Sequence, residues 1–192
     1  MRFVILLLLS LVLIPACAPM QVERLEPRTV TDLNGAWNDE DARQVAEMVV
    51  QDLRGVSVRG RDGAPVIIVG YLRNRGDEPI SMTSMERWIE TELVRGGGFR
   101  VVTSADLRGE LRVERESQQA WASPATQTRL RNEMGAEYLL HGTLHTWEES
   151  ERRRTVRTYR IDTYLVNLES TERIWAGSHE IKKEIRTPWF GF

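Results

Sequence analysis

The side chains best suited to chemistry here are few: three histidines, His141, His145 and His179, and a single cysteine, Cys17. His141 and His145 stand four positions apart in a stretch rich in β-branched and aromatic residues. Read as a strand at roughly 3.3 Å per residue, that spacing sets them about 13 Å apart, too far to chelate one metal ion as a pair. A serine or cysteine nucleophile needs a base beside it, and no Gly-x-Ser-x-Gly turn joins a strand to a helix. Gly96-Gly97-Gly98 lacks the Lys-Ser or Lys-Thr of a phosphate loop and reads as the stop of a helix. Asp39, Glu40 and Asp41 open a helix, where the dipole favours acids. No catalytic residue, metal site or cofactor is expected, and the chain reads as a binding protein rather than an enzyme.

Cys17 has a different chemistry. Arg2 precedes an apolar run over residues 3–14, broken only by Ser10, the charged start and hydrophobic middle of a signal peptide. About a dozen helical residues cover roughly 18 Å, short of the roughly 30 Å of a bilayer core. The run ends in Ile14-Pro15-Ala16-Cys17, which resembles a lipobox, so cleavage before Cys17 and lipidation of its sulfur are expected. A lone cysteine in an oxidising compartment has no disulfide partner. Pro19, where an acid would retain the protein in the inner membrane by resemblance to enterobacterial sorting rules, favours the outer membrane. The expected organisation is a signal peptide over 1–16, lipidated Cys17 and a short linker over 17–29, one periplasmic domain over 30–186, and a tail over 187–192.

The domain must position what remains. Hydrophobic residues make up 41% of the chain, enough for a core, and the net charge is −2, which argues against nucleic acid as the main partner. Asn38 caps a helix from Asp39 to Leu53 whose apolar residues recur at helical spacing. Pro65 to Tyr71 is an apolar β-branched run, expected as a strand buried on both faces. The loop from Arg73 to Pro79 follows. Thr83 and Glu86 fit a capping box for a second helix that stops at the triple glycine. Phe99 to Val102 is a short strand. Ser104 caps a third helix to about Gln119, with Leu107, Leu111 and Val113 facing in, and Ser123-Pro124 opens a fourth helix ending near Gly135. Three strands close the chain, Glu137 to Thr146, Val156 to Asn167 and Arg173 to Ile185. Polar turns around residues 149–154 and 169–171 make them an antiparallel meander. The expected fold class is α/β, a mixed sheet covered by helices. The third helix is sparse in apolar residues, and its Arg108, Arg112, Glu114 and Arg115 are candidates for partner binding, because arginine makes directed hydrogen bonds to carboxylates. Arg73 and Arg75 form a second, independent candidate.

Four segments, taken in order, carry a family resemblance: Val30-Thr-Asp-Leu-Asn-Gly-Ala-Trp-Asn-Asp-Glu-Asp-Ala-Arg43, Val66-Ile-Ile-Val-Gly-Tyr-Leu-Arg-Asn-Arg75, Met134-Gly-Ala-Glu-Tyr-Leu-Leu-His-Gly-Thr143, and Trp175 ahead of Glu180-Ile-Lys-Lys183. Together they resemble the LpoB-type penicillin-binding protein activator lipoproteins. That resemblance implies a fold similar to the N-terminal domain of TolB. It also implies an outer-membrane lipoprotein that docks on a regulatory domain of a bifunctional class A penicillin-binding protein and stimulates peptidoglycan synthesis. Enterobacterial members carry a long linker between lipid and domain, whereas this chain has about a dozen residues. The alternative is a lipoprotein of the same fold serving as a binding or scaffold component of a transport or secretion assembly.

Overall fold

The computed structural model describes residues 22–27, 29–119 and 135–189. It divides into two compact units, Met1–Val30 and Thr31–Phe192. In the first, Thr29 N–H donates to the Glu26 carbonyl at 2.9 Å. In the second, the order is α1 (Asp39–Arg54), β1 (Val66–Asn74), α2 (Met82–Gly96), β2 (Arg100–Val102), α3 (Ala105–Gln119), β3 (Tyr138–Glu151), β4 (Arg154–Asn167) and β5 (Arg173–Arg186). One five-stranded sheet runs β2-β1-β3-β4-β5. β1 is parallel to both β2 and β3, and β3, β4 and β5 form an antiparallel meander. The mixed α/β architecture expected from the sequence is therefore present.

α1 begins where its cap dictates. The Asn38 side chain accepts from Asp41 N–H at 3.0 Å, and the Asp41 carboxylate accepts from Asn38 N–H at 2.9 Å. This reciprocal box satisfies two of the donors a helix start leaves unpaired. Ala42, Val45, Ala46, Val49, Val50 and Leu53 form its buried stripe, and Met85, Ile89 and Leu93 form that of α2. Both stripes pack on one face of the sheet, against Ile67, Val69, Leu72, Leu140, Leu144, Tyr159, Ile161 and Leu165.

Several expectations are corrected. Thr83 and Glu86 do not form a capping box: α2 starts earlier, after Ser81, which makes no side-chain cap bond, and Glu86 instead accepts from Leu72 N–H at 2.7 Å. β1 is not buried on both faces, since Ile68 and Gly70 are only partly covered. Nor do the apolar residues of α3 face in: Leu107, Leu111 and Val113 are 38%, 40% and 68% exposed. β3 and β4 continue through the segment read as a turn, pairing as far as Glu151 with Arg154. The expected fourth helix lies outside the described residues.

One irregularity shapes the site. Val69 pairs with Leu140 but Leu72 pairs with Gly142, so β1 carries one extra residue between them. A bulge of this kind advances the pleat by one. Leu72 returns to the core, while Tyr71, Arg73 and Arg75 are exposed. A Cβ at Gly70 would stand 2.6 Å from Leu139 Cδ1, so that methyl would have to shift to admit a larger residue.

Candidate functional site

Parallel pairing places the C-terminal ends of β1 and β2 at the same end of the sheet, so the start of α3 comes to lie beside the end of β1. In open α/β sheets this is where crevices form. A cavity of about 740 Å³ opens there, walled by β1 and β3, the first half of α2 and the start of α3. Its volume falls within the roughly 300–1,000 Å³ of ligand sites. Four arginines line it: Arg73 and Arg75 from the β1 end, Arg87 from α2 and Arg108 from α3. Arg108 from one candidate group thus meets Arg73 and Arg75 from the other in one cleft. Arg112 and Arg115 do not line it, and each already has an interaction within the chain. Glu114 accepts from Gln118 Nε2 at 2.8 Å on the exposed side of α3.

The cleft arginines differ from seven others in the chain. Arg43, Arg61, Arg95, Arg154, Arg157, Arg160 and Arg186 are paired with carboxylates. None of the four in the cleft makes an ion pair or side-chain hydrogen bond among the described residues. The Arg108 Nε–H is buried without an acceptor, an arrangement that costs roughly 1–3 kcal/mol unless something supplies one. Two carboxylates, Glu86 and Glu90, stand on the α2 wall. Burial holds the Glu90 carboxyl above its ordinary range, Arg87 opposing and Glu86 adding to the shift. Burial likewise lowers the His141 imidazole, and Arg173 and Arg73 lower it further. His141 lies 5.5 Å from the Tyr164 ring, over which Arg173 stacks at 3.8 Å. Four guanidiniums facing two wall carboxylates, one of them disfavoured in its charged form by burial, leave an excess of positive charge that suits an anionic partner.

The most specific sequence motif, residues 34–39, does not line the cleft and does structural work. Trp37 packs edge-on to Tyr159, with centroids 5.2 Å apart. Glu78 accepts from Trp37 N–H at 2.8 Å and from the Tyr159 hydroxyl at 2.5 Å. Burial and this carboxylate push the Tyr159 phenol up to about 12. Lys183 donates to Asp32 at 2.5 Å and to the Ala36 carbonyl at 2.9 Å, and pairs with Asp41 at 2.6 Å. The strand alternation of Ile181, Lys183 and Ile185 would have pointed Lys183 inward; nothing in the sequence marks Glu78, Arg87 or Glu90.

Among the described residues, no group of three or more His, Cys, Asp or Glu side chains could hold a metal ion, and no helix is long and apolar enough to cross a membrane. Cys17 lies outside the described residues. The model of the family described as peptidoglycan-synthase activator LpoB matches residues 41–181 of the 192. The chain belongs to the LpoB family. Among solved structures, the LpoB C-terminal domain of Salmonella enterica is 17% identical, with a TM-score of 0.46, covering 74% of this chain and 99% of that one. The Escherichia coli LpoB C-terminal domain is 15% identical, with a TM-score of 0.47 and the same coverage of each chain. Lipoprotein GNA1162 of Neisseria meningitidis is 19% identical, with a TM-score of 0.42, covering 62% of this chain and 83% of that one. No curated protein matches the chain. Membership of the LpoB family rests on the family-model match and makes the chain a relative of regulators of peptidoglycan synthesis.

Proposed function

We propose that this LpoB-family chain is a lipoprotein, anchored through Cys17 on the periplasmic face of the outer membrane, that binds and allosterically activates a bifunctional class A penicillin-binding protein. The observation that carries the reading is the family match across residues 41–181. Docking is assigned to the cleft of Arg73, Arg75, Arg87 and Arg108, because its guanidiniums have no ion pair or side-chain hydrogen bond among the described residues. An acidic surface on the regulatory domain of the synthase would complete them, and charge-assisted bonds from arginine are about twice as strong as neutral ones.

An activator raises the rate by binding one state of the enzyme more tightly than another. The soluble chain lacking residues 1–28 is expected to raise glycan polymerisation by the cognate synthase, to saturate with concentration, and to turn over no peptidoglycan alone. The measurement is incorporation of labelled lipid-linked precursor with and without the chain. Saturable binding with no change in rate would remove the activator reading and leave a scaffold.

A further inference from the structure

β1 is nine residues long, but β2 pairs with it only at Val66–Arg100, Ile67–Val101 and Ile68–Val102. Over residues 69–74 the side of β1 away from β3 is therefore a sheet edge among the described residues. Such an edge offers unpaired N–H and C=O groups to another extended chain. One of them is covered by a side chain: Leu72 N–H donates to Glu86 Oε1 at 2.7 Å. That carboxylate oxygen stands where a neighbouring strand would place a carbonyl. Beyond the bulge, Arg73 and Arg75 are two positions apart and exposed, so they share one side of the strand, about 6.6 Å apart. Their repeat is the repeat of an extended chain. A strand lying alongside, with carboxylates at alternate positions, meets them pair by pair at cross-strand distances of about 5 Å. Arg87 and the acceptorless Nε–H of Arg108 close the cleft from the helices.

Resting on the docking assignment made above, we infer that the cleft takes an extended acidic peptide segment of the partner by strand addition along residues 69–74, a peptide carbonyl displacing the Glu86 carboxylate from Leu72 N–H. Main-chain bonds to the edge supply affinity, and the alternating arginines select carboxylates at every second residue, the usual division of labour in strand addition. A small anion would engage the arginines but leave the edge unpaired. A helix would not match a two-residue repeat.

The test uses the full chain from residue 17 onward with Cys17→Ser, titrated with the blocked peptide acetyl-Thr-Glu-Val-Glu-Val-Thr-amide while backbone amide shifts are followed. Saturable shifts centred on residues 69–74 are expected. Binding should weaken at least tenfold for Arg73→Glu with Arg75→Glu, both exposed positions. It should weaken at least tenfold on the parent chain when alternate peptide amides are N-methylated, which keeps the charge and removes the ladder. Equal binding of the N-methylated peptide overturns strand addition. Equal binding of a peptide with lysine in place of glutamate overturns acidic selection. Inorganic phosphate giving the same shifts at the same affinity overturns the peptide in favour of a small anion, and unmoved amides at 69–74 overturn the site. Synthase stimulation is read separately: its absence while the peptide still adds to the edge removes the partner and leaves this site standing.

Discussion

Lys183 lies in the β5 face turned toward the helices, with its side chain 8% exposed and that of Asp41 7% exposed. A buried ammonium is tolerated only when it is paired and hydrogen-bonded, and Asp41, Asp32 and the Ala36 carbonyl complete it. Burial alone would lower its pKa, but the bonds to Asp32 and Asp41 outweigh burial and raise it. Its stabilisation is thus complete below the unfolded value and is lost only as strongly alkaline pH passes the folded one. Removing the cation leaves the Asp41 carboxylate buried without it, so Lys183→Met is expected to destabilise the domain by about 3 kcal/mol in urea unfolding. A result near zero would mean that Asp41 is rescued by water. Gly35 meets the same strand: its φ is +67°, and an added Cβ would stand 2.4 Å from Ile185 Cγ1, so the strap around residues 34–39 admits no larger residue without moving. His141 and His179 act at the other end of the pH range. Burial lowers both, with Arg173 and Arg73 adding at His141 and Asp52 opposing at His179. Between their lowered folded values and the ordinary 6.5, the unfolded chain binds more protons, so stability falls as pH falls through that window and levels off below it. Replacing both with glutamine should flatten the dependence of the unfolding midpoint between about pH 7.5 and 5. An unchanged slope would assign it to carboxylates instead.

Helix α1 was legible because its capping box and periodic stripe agree, and α2 because of its periodic stripe and glycine stop, its start being displaced from the expected cap. α3 was legible as a helix but not in how it packs. Leu107 and Leu111 are too sparse to fix it against the sheet, and both remain more than a third exposed. A helix with little buried apolar contact opens locally at low free energy. Amide hydrogens of α3 should therefore exchange roughly tenfold or more faster than those of α1, a difference of about 1.4 kcal/mol; equal protection would show that α3 is anchored by more than these contacts. The same helix carries a test of docking. Arg108 lines the cleft, whereas Arg112 and Arg115 do not. Arg108→Glu is expected to weaken synthase binding at least tenfold, and Arg112→Glu with Arg115→Glu together by less than threefold. The opposite ranking would move docking to the outer side of α3. The β3–β4 hairpin was underestimated for a related reason. Its residues 147–154 are exposed, so no alternation of apolar and polar residues marks them as strand, and pairing rather than burial defines them.

At the scale of the whole molecule, the order of helices and strands sufficed for the α/β class, because alternating elements followed by a short-linked meander leave few arrangements of one sheet. The cleft was not legible. Arg73 and Arg108 are joined by the β1–β2 parallel pairing, and a sequence does not state which strand ends share an edge. What the fold leaves to the N-terminal segment is placement. A net charge of −2 gives no strong pull toward any charged surface, so the proposed lipid on Cys17 would set where the cleft operates. A linker of about a dozen residues reaches at most about 40 Å. Confinement at that reach raises the local concentration of the cleft around a membrane-bound partner without adding a contact. Two readouts should therefore separate in Cys17→Ala. The purified variant is expected to saturate synthase stimulation at the same concentration as the unlipidated parent domain, because the docking assignment rests on the cleft and not on the thiol. In cells the variant should be lost from membranes after detergent-free washing, and stimulation should fall even at normal expression. Retention at the parent level would remove the lipid anchor, and loss of stimulation by the purified variant would place Cys17 in the docking surface rather than at the membrane.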